Sequence, residues 1–248
     1  MPARFYIEPE DAGKDMVLLS ERESRHAATV LRLRRGDAVV LFDGEGRAFK
    51  GVVAGIRDRR LAVSVKTEVT ETSAARYEIS VAISVIRPER MEWLIEKACE
   101  LGVSGFFPLV TDRCIVKLSR ERWASKWQRW RKIAVASCKQ CGIARIPQIH
   151  ATQSFEDFFS LAAHFNRILI PTLAAKGVAL YAALRHSHHG KILALIGPEG
   201  DFTKREVELA RGKGATPVDL GPIVMRSETA AVYILSAVNF YFREICDE

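Results

Sequence analysis

The sequence predicts an α/β fold: a small β-rich domain over residues 1–70, a linker over 71–76, and a larger α/β domain over 77–248. Two observations predict this division. Short runs rich in β-branched residues and bounded by turn residues fill the first part. Beyond residue 77, apolar runs of strand length alternate with longer helical patterns, which is typical of a mostly parallel sheet covered by helices. The polar stretch between the two parts has no apolar cluster.

Five or six short strands and one helix are expected in the first domain. The helix is predicted over Ser24–Leu33 because its apolar side chains recur on one face, and Asp43–Gly46 has the composition of a hairpin turn. This content suits a compact barrel of the OB or PUA-like kind. The predicted strands are Arg4–Ile7, Met16–Leu19, Ala38–Phe42, Ala48–Ile56 and Leu61–Val65.

Five strands and six helices alternate in the predicted second domain. In parallel sheets, ligands bind at the carboxyl ends of strands, so a site is expected after Ile170, Ile196 and Leu220. The predicted strands are 79–86, 105–110, 167–171, 191–196 and 217–220, and the predicted helices are 89–101, 120–141, 155–163, 178–184, 204–213 and 228–243.

The positive charge is concentrated in the middle of the chain. The whole sequence has a net charge of +7, and residues 74–150 have 14 basic and 7 acidic residues. Most of this excess falls in residues 113–145, where ten basic residues accompany one acid. Such a concentration predicts a surface that binds a polyanion. Small barrels of this kind often bind RNA, although many do not. Because the first 73 residues are near neutral, the barrel is expected to be an accessory RNA-binding domain rather than the main electrostatic anchor.

Several classes of protein are excluded by composition. No apolar run approaches the roughly 20 residues of a membrane-spanning helix, and the first twenty residues lack the pattern of a signal peptide. A cytoplasmic protein without a membrane or a metal is therefore expected.

The five cysteines are irregularly spaced, and Cys138 and Cys141 have no second ligand pair for zinc, which favours ordinary thiols. The histidines within His186–His189 are interpreted as a solvated loop.

A glycine-rich turn follows the strand that ends at Ile196. The segment Gly197–Phe202 leads into Thr203–Glu206, which matches a helix capping box with Thr203 as N-cap. A strand, a glycine turn and a capped helix commonly hold a nucleotide-like ligand. The dinucleotide and P-loop fingerprints are both absent, and the acid Glu199 suits a ligand that is neutral or cationic at the contact. A plain tight turn is the alternative.

A second loop, Gly221–Ala230, follows the predicted strand that ends at Leu220. Its residues Ile223, Val224 and Met225 could line a flat ring, and Ser227 is a plausible N-cap for the last helix. Arg226 could hold a planar acceptor. On pattern alone, it could equally be a structural cap or an ion-pair partner.

Taken together, these loops resemble the knotted SPOUT methyltransferases, and among them the 16S rRNA uracil-N3 methyltransferase (RsmE) family. The resemblance spans essentially the whole chain, and the order and spacing of its motifs make it specific. The motifs are Arg4–Ile7, His26–Leu33, Gly36–Asp37, Lys97–Val103, Ile196–Gly200, Leu220–Pro222 and Met225–Ala231.

The resemblance implies a PUA-like barrel, a parallel sheet ending in a deep trefoil knot, and a homodimer whose active sites draw on both chains. It also implies S-adenosylmethionine as cofactor, methylation of N3 of a specific uridine near the 3′ end of 16S rRNA in the small ribosomal subunit, and Arg226 nearest the uracil. Arg113, Arg129, Arg131, Lys132 and Arg145 are the candidate RNA contacts. The implied cofactor-binding set is Leu173, Ile196, Gly197, Glu199, Gly200, Leu220, Val224 and Met225.

Two departures from the family pattern stand out. Asp201 occupies a position where the family often has a second glycine, and Ala136–Gln140 replaces a stretch expected to be more acidic. Glu228 or a water molecule could accept the imide proton of the uracil. The alternatives are another RNA specificity within the knotted methyltransferases, and a non-catalytic rRNA-binding assembly factor.

Overall fold

The computed structural model describes residues 2–69, 77–116, 120–160, 162–185 and 190–245, without the side chains of residues 120 and 121. The predicted linker 71–76, the His186–His189 segment and Cys246 lie outside these residues. The chain divides into two compact units, one formed by residues 1–73 and 135–146 and the other by 74–134 and 147–248. Residues 135–146 thus group with the first unit, whereas the sequence analysis assigned them to the second domain.

The first unit contains a five-stranded mixed sheet with the strand order β1-β3-β4-β5-β2. Strand β1 is parallel to β3 and the other pairs are antiparallel. One face of the sheet buries a cluster that includes Phe5, Leu41 and Val63. The expected hairpin turn joins β3 to β4, with Gly44 and Gly46 at positive φ. The strands are β1 (Ala3–Tyr6), β2 (Met16–Leu18), β3 (Ala38–Phe42), β4 (Ala48–Arg57) and β5 (Arg60–Val69).

The helix of the first unit differs from the prediction. Helix α1 covers Glu21–Arg25, and a π-helical turn, His26–Val30, follows it. Ser20 is the N-cap because its side chain accepts the Glu23 N–H over 3.2 Å. The hydroxyl of Ser24 is buried instead, donating to Leu19 O and accepting the Leu61 N–H. The predicted start at Ser24 is therefore wrong by one turn.

Contacts within the first unit explain why residues 135–146 belong to it. Lys139 Nζ lies 2.5 Å from Glu23 Oε2 and over the ring of Phe5. The Ile146 N–H donates to Gly44 O over 2.8 Å. Lys139 lies within Ala136–Gln140, the stretch that departs from the family pattern, and it anchors this segment to the sheet.

The second unit is built on an eight-stranded sheet in which every pairing among the described residues is parallel. The strand order is β11-β13-β10-β12-β6-β7-β8, and β9 also pairs with β7. This confirms the predicted parallel sheet. The strands are β6 (Tyr77–Ser84), β7 (Gly105–Val110), β8 (Gln148–Ile149), β9 (Gln153–Ser154), β10 (Arg167–Pro171), β11 (Val178–Ala179), β12 (Gly190–Ile196) and β13 (Ala215–Asp219).

The described residues form six α-helices from α2 onward, and α2 packs against α7. The first turn of α2 begins with Pro88, and Gly102 follows its end at φ +75°, as a helix C′ residue should. Helix α3 passes from the residues of the second unit into those of the first. The helices are α2 (Pro88–Glu100), α3 (Arg120–Cys141), α4 (Phe155–Phe158), α5 (Leu180–Leu184), α6 (Lys204–Gly212) and α7 (Ser227–Phe240).

In the described part of the chain, no helix has the length and apolar character needed to cross a bilayer. The same residues contain no group of three or more His, Cys, Asp or Glu side chains that could hold a metal ion. Cys138 and Cys141 are thiols, and the Cys138 thiol donates to Arg145 O.

Candidate functional site

A cavity of about 530 Å³ lies at the carboxyl ends of three adjacent strands, β13, β10 and β12. Parallel strands bring their carboxyl ends to one edge of a sheet, so the loops that follow them meet there. The lining residues come from the segments 171–177, 196–201 and 218–230, although not every residue of these segments lines the cavity. This is the edge at which the sequence predicts a ligand site, and the volume falls within the range of small-molecule sites.

Most of the predicted ligand-binding residues line this cavity. Three apolar side chains on its walls, Leu173, Ile223 and Val224, are between 73% and 76% exposed, so they offer flat apolar surface to a ligand. Gly200 is not part of the lining, and its carbonyl oxygen accepts a hydrogen bond from Arg113 Nη1 over 2.6 Å. The predicted residues in the lining are Leu173, Ile196, Gly197, Glu199, Leu220, Val224, Met225 and Arg226.

Close packing at Gly197 and a capping box at Thr203 constrain the two ends of the glycine turn after β12. A side chain at Gly197 would place its Cβ 3.1 Å from the Phe202 ring and 3.2 Å from the Phe202 backbone nitrogen, so any larger residue here would crowd Phe202. At the other end, the predicted capping box is confirmed: the Thr203 side chain accepts the Glu206 N–H, and Glu206 Oε2 accepts the Thr203 N–H over 2.7 Å. The start of α6 is therefore fixed.

Asp201 connects two of the loops that line the cavity. Its backbone has φ +60°, the left-handed conformation that glycine adopts most easily. Its Oδ2 accepts hydrogen bonds from Leu173 N (2.7 Å), Thr172 Oγ1 (2.9 Å) and Ala174 N (3.2 Å). Its Oδ1 accepts the Phe202 N–H. The residue that departs from the family pattern thus keeps the glycine-like backbone and adds a carboxylate that holds the turn carrying Leu173.

Arg226 lies where the last loop enters α7. It is the N-cap residue, in extended conformation, and its side chain makes no capping hydrogen bond. The prediction that Ser227 is the N-cap is wrong, because Ser227 is the first helical residue and is buried. Within the described residues, the exposed Arg226 guanidinium has no ion-pair partner. It is therefore available to a ligand at the cavity.

Arg90, the third residue of α2, was missed by the sequence analysis. Its Nη1 donates to Glu199 Oε1 over 3.1 Å, and its Nε lies 3.6 Å from Glu228 Oε1. The Glu228 side chain is only 10% exposed, and its Oε2 has no hydrogen-bond partner. Arg90 sits 109 positions before Glu199. No local pattern could have brought them together, because the contact exists only once α2 packs beside the sheet.

Acidic side chains predominate among the charged residues of the cavity. Glu199, Asp201 and Asp219 all line it, together with the bases Lys176 and Arg226. Asp219 accepts the Gly221 N–H over 2.8 Å. A phosphate-rich ligand would be repelled by these carboxylates, whereas a ligand with a positive centre suits them.

The predicted RNA contacts fall into different environments. Arg129 forms a bidentate ion pair with Glu92, which holds the pKa of the Glu92 carboxyl below its ordinary value. Arg131 and Lys132, which follow on α3, are exposed. In the first unit, Arg145 is exposed and its guanidinium lies against the hairpin turn at Gly46.

Comparisons with known proteins agree with this architecture. Residues 73–239 match the family model of an RNA methyltransferase domain, and residues 19–66 match an RNA methyltransferase PUA domain. Ribosomal RNA small subunit methyltransferase E of Mycobacterium bovis is 30% identical over 95% of this chain and 90% of its own length. The protein of the same name from Bacillus subtilis is 26% identical over 90% of this chain and 89% of its own.

A solved structure shares the fold over nearly the full length. The crystal structure of a ribosomal RNA small subunit methyltransferase E from Neisseria gonorrhoeae bound to S-adenosyl methionine superposes with a TM-score of 0.86. It is 26% identical and covers 98% of each chain. The fold, the domain matches and the full-length relatives together show that this chain belongs to the ribosomal RNA small subunit methyltransferase E family.

Proposed function

We propose that this protein is an S-adenosylmethionine-dependent methyltransferase that methylates N3 of one uridine near the 3′ end of 16S rRNA in the small ribosomal subunit. The observation that carries the proposal is the cavity at the ends of β13, β10 and β12, with Arg226 at its edge. Family membership supports the reaction class, and the relatives' names support ribosomal RNA of the small subunit as substrate.

The residues of the cavity fit this cofactor. Leu173, Ile223 and Val224 provide apolar walls for a flat adenine ring, and the carboxylates of Glu199 and Asp219 suit a molecule with cationic groups. We infer that the two loops after β12 and β13 hold the cofactor between them. When bound, S-adenosylmethionine supplies a methyl group that is already electrophilic, because it is attached to a sulfonium.

The chain's own task is to prepare the uracil. N3 of uracil retains its imide proton at neutral pH, and its removal places negative charge on O2 and O4. A guanidinium is planar, stays charged and presents several donors, so Arg226 is suited to stabilise this anion as it forms. The absence of a side-chain cap and of an ion pair among the described residues leaves Arg226 available for this role. Correct placement of N3 supplies the remaining rate enhancement.

The exposed basic residues of α3 are proposed as an RNA-binding surface. Arg131 and Lys132 are exposed, and basic side chains on a surface neutralise phosphates. Arg129 contributes less, because Glu92 already neutralises it. The PUA domain of the first unit, with Arg145 beside its hairpin turn, is proposed as an accessory RNA contact. Arg113 is bonded to Gly200 O, so we assign it to support of the cofactor loop as well as to RNA.

A homodimer is proposed as the active form. Helix α7 exposes Tyr233 and Phe240, which are 44% and 61% accessible, and these lie two turns apart on one face. Large apolar side chains exposed on one face are typical of an interface. Light scattering of wild type and Phe240→Glu tests the dimer, because a monomeric wild type would contradict it.

The strand order β13-β10-β12, in which the last strand pairs with the earlier β10, supports the knotted chain ending that the resemblance implies.

Mass spectrometry of small-subunit rRNA tests the proposed reaction. RNA from a strain that lacks the protein is compared with RNA from the same strain carrying the wild-type gene or an Arg226→Ala gene. We expect one 3-methyluridine near the 16S 3′ end to disappear in the deletion and in Arg226→Ala, and to return with the wild type. An unchanged modification pattern in the deletion strain would contradict the proposal.

A further inference from the structure

Glu228 is a buried carboxylate whose hydrogen bonding is incomplete. It lies in the first turn of α7, where one of its oxygens is 3.6 Å from Arg90 Nε. The other oxygen is inaccessible and has no partner. A buried charge without its full set of hydrogen bonds opposes folding, and a buried ion pair is weak evidence for a stabilising role. The arrangement therefore calls for a functional explanation.

The two carboxylates that Arg90 contacts belong to different segments, the turn after β12 and the first turn of α7. Glu199 lines the cavity from the turn after β12. Glu228 lies two residues beyond Arg226, in the turn of α7 that Arg226 begins. Among the described residues, Arg90 is the one cation within 4 Å of both carboxylates. It therefore fixes the spacing between the turn after β12 and the start of α7.

We propose that Arg90 is a positioning residue for methyl transfer, acting through Glu199 and Glu228 rather than on the substrate. This inference rests on the proposed function, in which the turn after β12 holds the methyl donor and Arg226 holds the uracil. By tying the two segments together, Arg90 sets the distance between the donor and the acceptor atom. A misplacement of about 1 Å can slow a reaction about 100-fold while binding stays almost unchanged.

Four variants of the full chain test this role. In Arg90→Met the bridge is lost, whereas Arg90→Lys keeps the charge but has a single nitrogen, which cannot replace a guanidinium at two carboxylates. The double variant R90M/E228Q removes the buried charge together with its partner. Arg87→Met, on an exposed arginine one turn earlier, is the matched control. Each protein is measured for S-adenosylmethionine affinity by calorimetry, for Tm, and for single-turnover methylation of small-subunit rRNA.

We expect R90M to lower the single-turnover rate about 100-fold, with the affinity for S-adenosylmethionine changed less than about threefold. Its Tm should also fall, because Glu228 is left buried without a cation. The double variant should recover the Tm but not the rate, and R90K should recover most of the Tm and only part of the rate. Recovery of the rate together with the Tm in the double variant would show a purely structural role and overturn the proposal, as would an unchanged rate in R90M.

The two proposals fail separately in this experiment. The wild-type reaction at uridine N3 tests the proposed function, and the ratio of each variant to wild type tests Arg90. Amide hydrogen exchange of residues 197–202 and 226–229 in the presence of S-adenosylmethionine needs no methyl acceptor. We expect faster exchange in both segments of R90M than in wild type, and exchange equal to wild type would overturn the positioning role.

Discussion

Replacement of Asp201 offers the sharpest test of how the cofactor loops are held. Oδ2 of Asp201 accepts three hydrogen bonds from the turn at Thr172–Ala174, at 2.7, 2.9 and 3.2 Å. A hydrogen bond to a charged group contributes roughly 1.5–3 kcal/mol when buried. Asp201 is half-buried and one oxygen serves all three donors, so we expect about 3 kcal/mol for the set.

The backbone at Asp201 separates two substitutions that both remove the carboxylate. At φ +60°, alanine is strained by roughly 1–2 kcal/mol relative to glycine. Part of glycine's advantage is offset because glycine raises the conformational entropy of the unfolded chain. Because Asp201 already has a Cβ at this φ, we expect Asp201→Ala to lose about 3 kcal/mol of unfolding free energy, the contribution of the hydrogen bonds, and Asp201→Gly about 1 kcal/mol less. Asp201→Asn keeps one acceptor oxygen and tolerates the backbone, so its loss should be the smallest.

Urea unfolding measures the stability, and calorimetric titration measures the affinity for S-adenosylmethionine. If the turn carrying Leu173 detaches in the free variant, binding must order it again, so we expect an affinity 10- to 100-fold weaker, at about 1.4 kcal/mol per tenfold. Glu208→Ala, on the exposed face of α6, is the control. Equal unfolding midpoints for Asp201→Ala and Asp201→Gly would refute the backbone reasoning. Wild-type affinity in Asp201→Ala would refute the role of the carboxylate.

Three further predictions concern the reaction, the RNA surface and the pH dependence of stability. Arg226→Ala should keep its affinity for S-adenosylmethionine and lose about 10²–10³ in single-turnover rate, as removal of a transition-state donor does; an unchanged rate would exclude Arg226 from the mechanism. The double reversal R131E/K132E should weaken RNA binding and flatten its salt dependence in filter-binding assays, and an unaltered slope would place the RNA elsewhere. Burial lowers the pKa of His150, whose ring stacks on Phe107 at 4.0 Å, so the unfolded chain takes up the proton first as the pH falls. The free energy of unfolding should therefore decrease as the pH falls through about 6.5, and His150→Phe should lack this part of the slope in urea unfolding at several pH values.

Local sequence signals predicted the parts of the fold that depend on near neighbours. The capping box at Thr203–Glu206 was correct because its partners lie three residues apart, and the glycine turn before it spans only residues 197–202. The start of α1 was wrong because the prediction followed the apolar face, which begins at Ala27, whereas the first turn of the helix, Glu21–Arg25, is polar. Ser24 bonds to Leu19 O and Leu61 N, neither of which belongs to the helix.

Charge in the sequence predicted which segment is basic but not which of its residues face a partner. Arg129 is neutralised by Glu92, 37 positions away, and Lys139 is bound to Glu23, 116 positions away. These pairs form only when α3 is placed beside other elements. The count of basic residues in 113–145 therefore overstates the charge that this segment presents to RNA.

The sequence by itself determined the α/β alternation, the edge of the sheet at which the site lies, and the loops that surround it. These follow from periodicity, from turn residues, and from the rule that parallel strands share a carboxyl edge. Only the tertiary structure decided that Asp201 holds the turn at Leu173 and that Arg90 joins Glu199 to Glu228. It also decided that Arg226 is the N-cap residue of α7 and makes no capping hydrogen bond with its side chain. The contacts of Asp201 and Arg90 join segments far apart in the chain, whose distances are set by packing and cannot be read from local order.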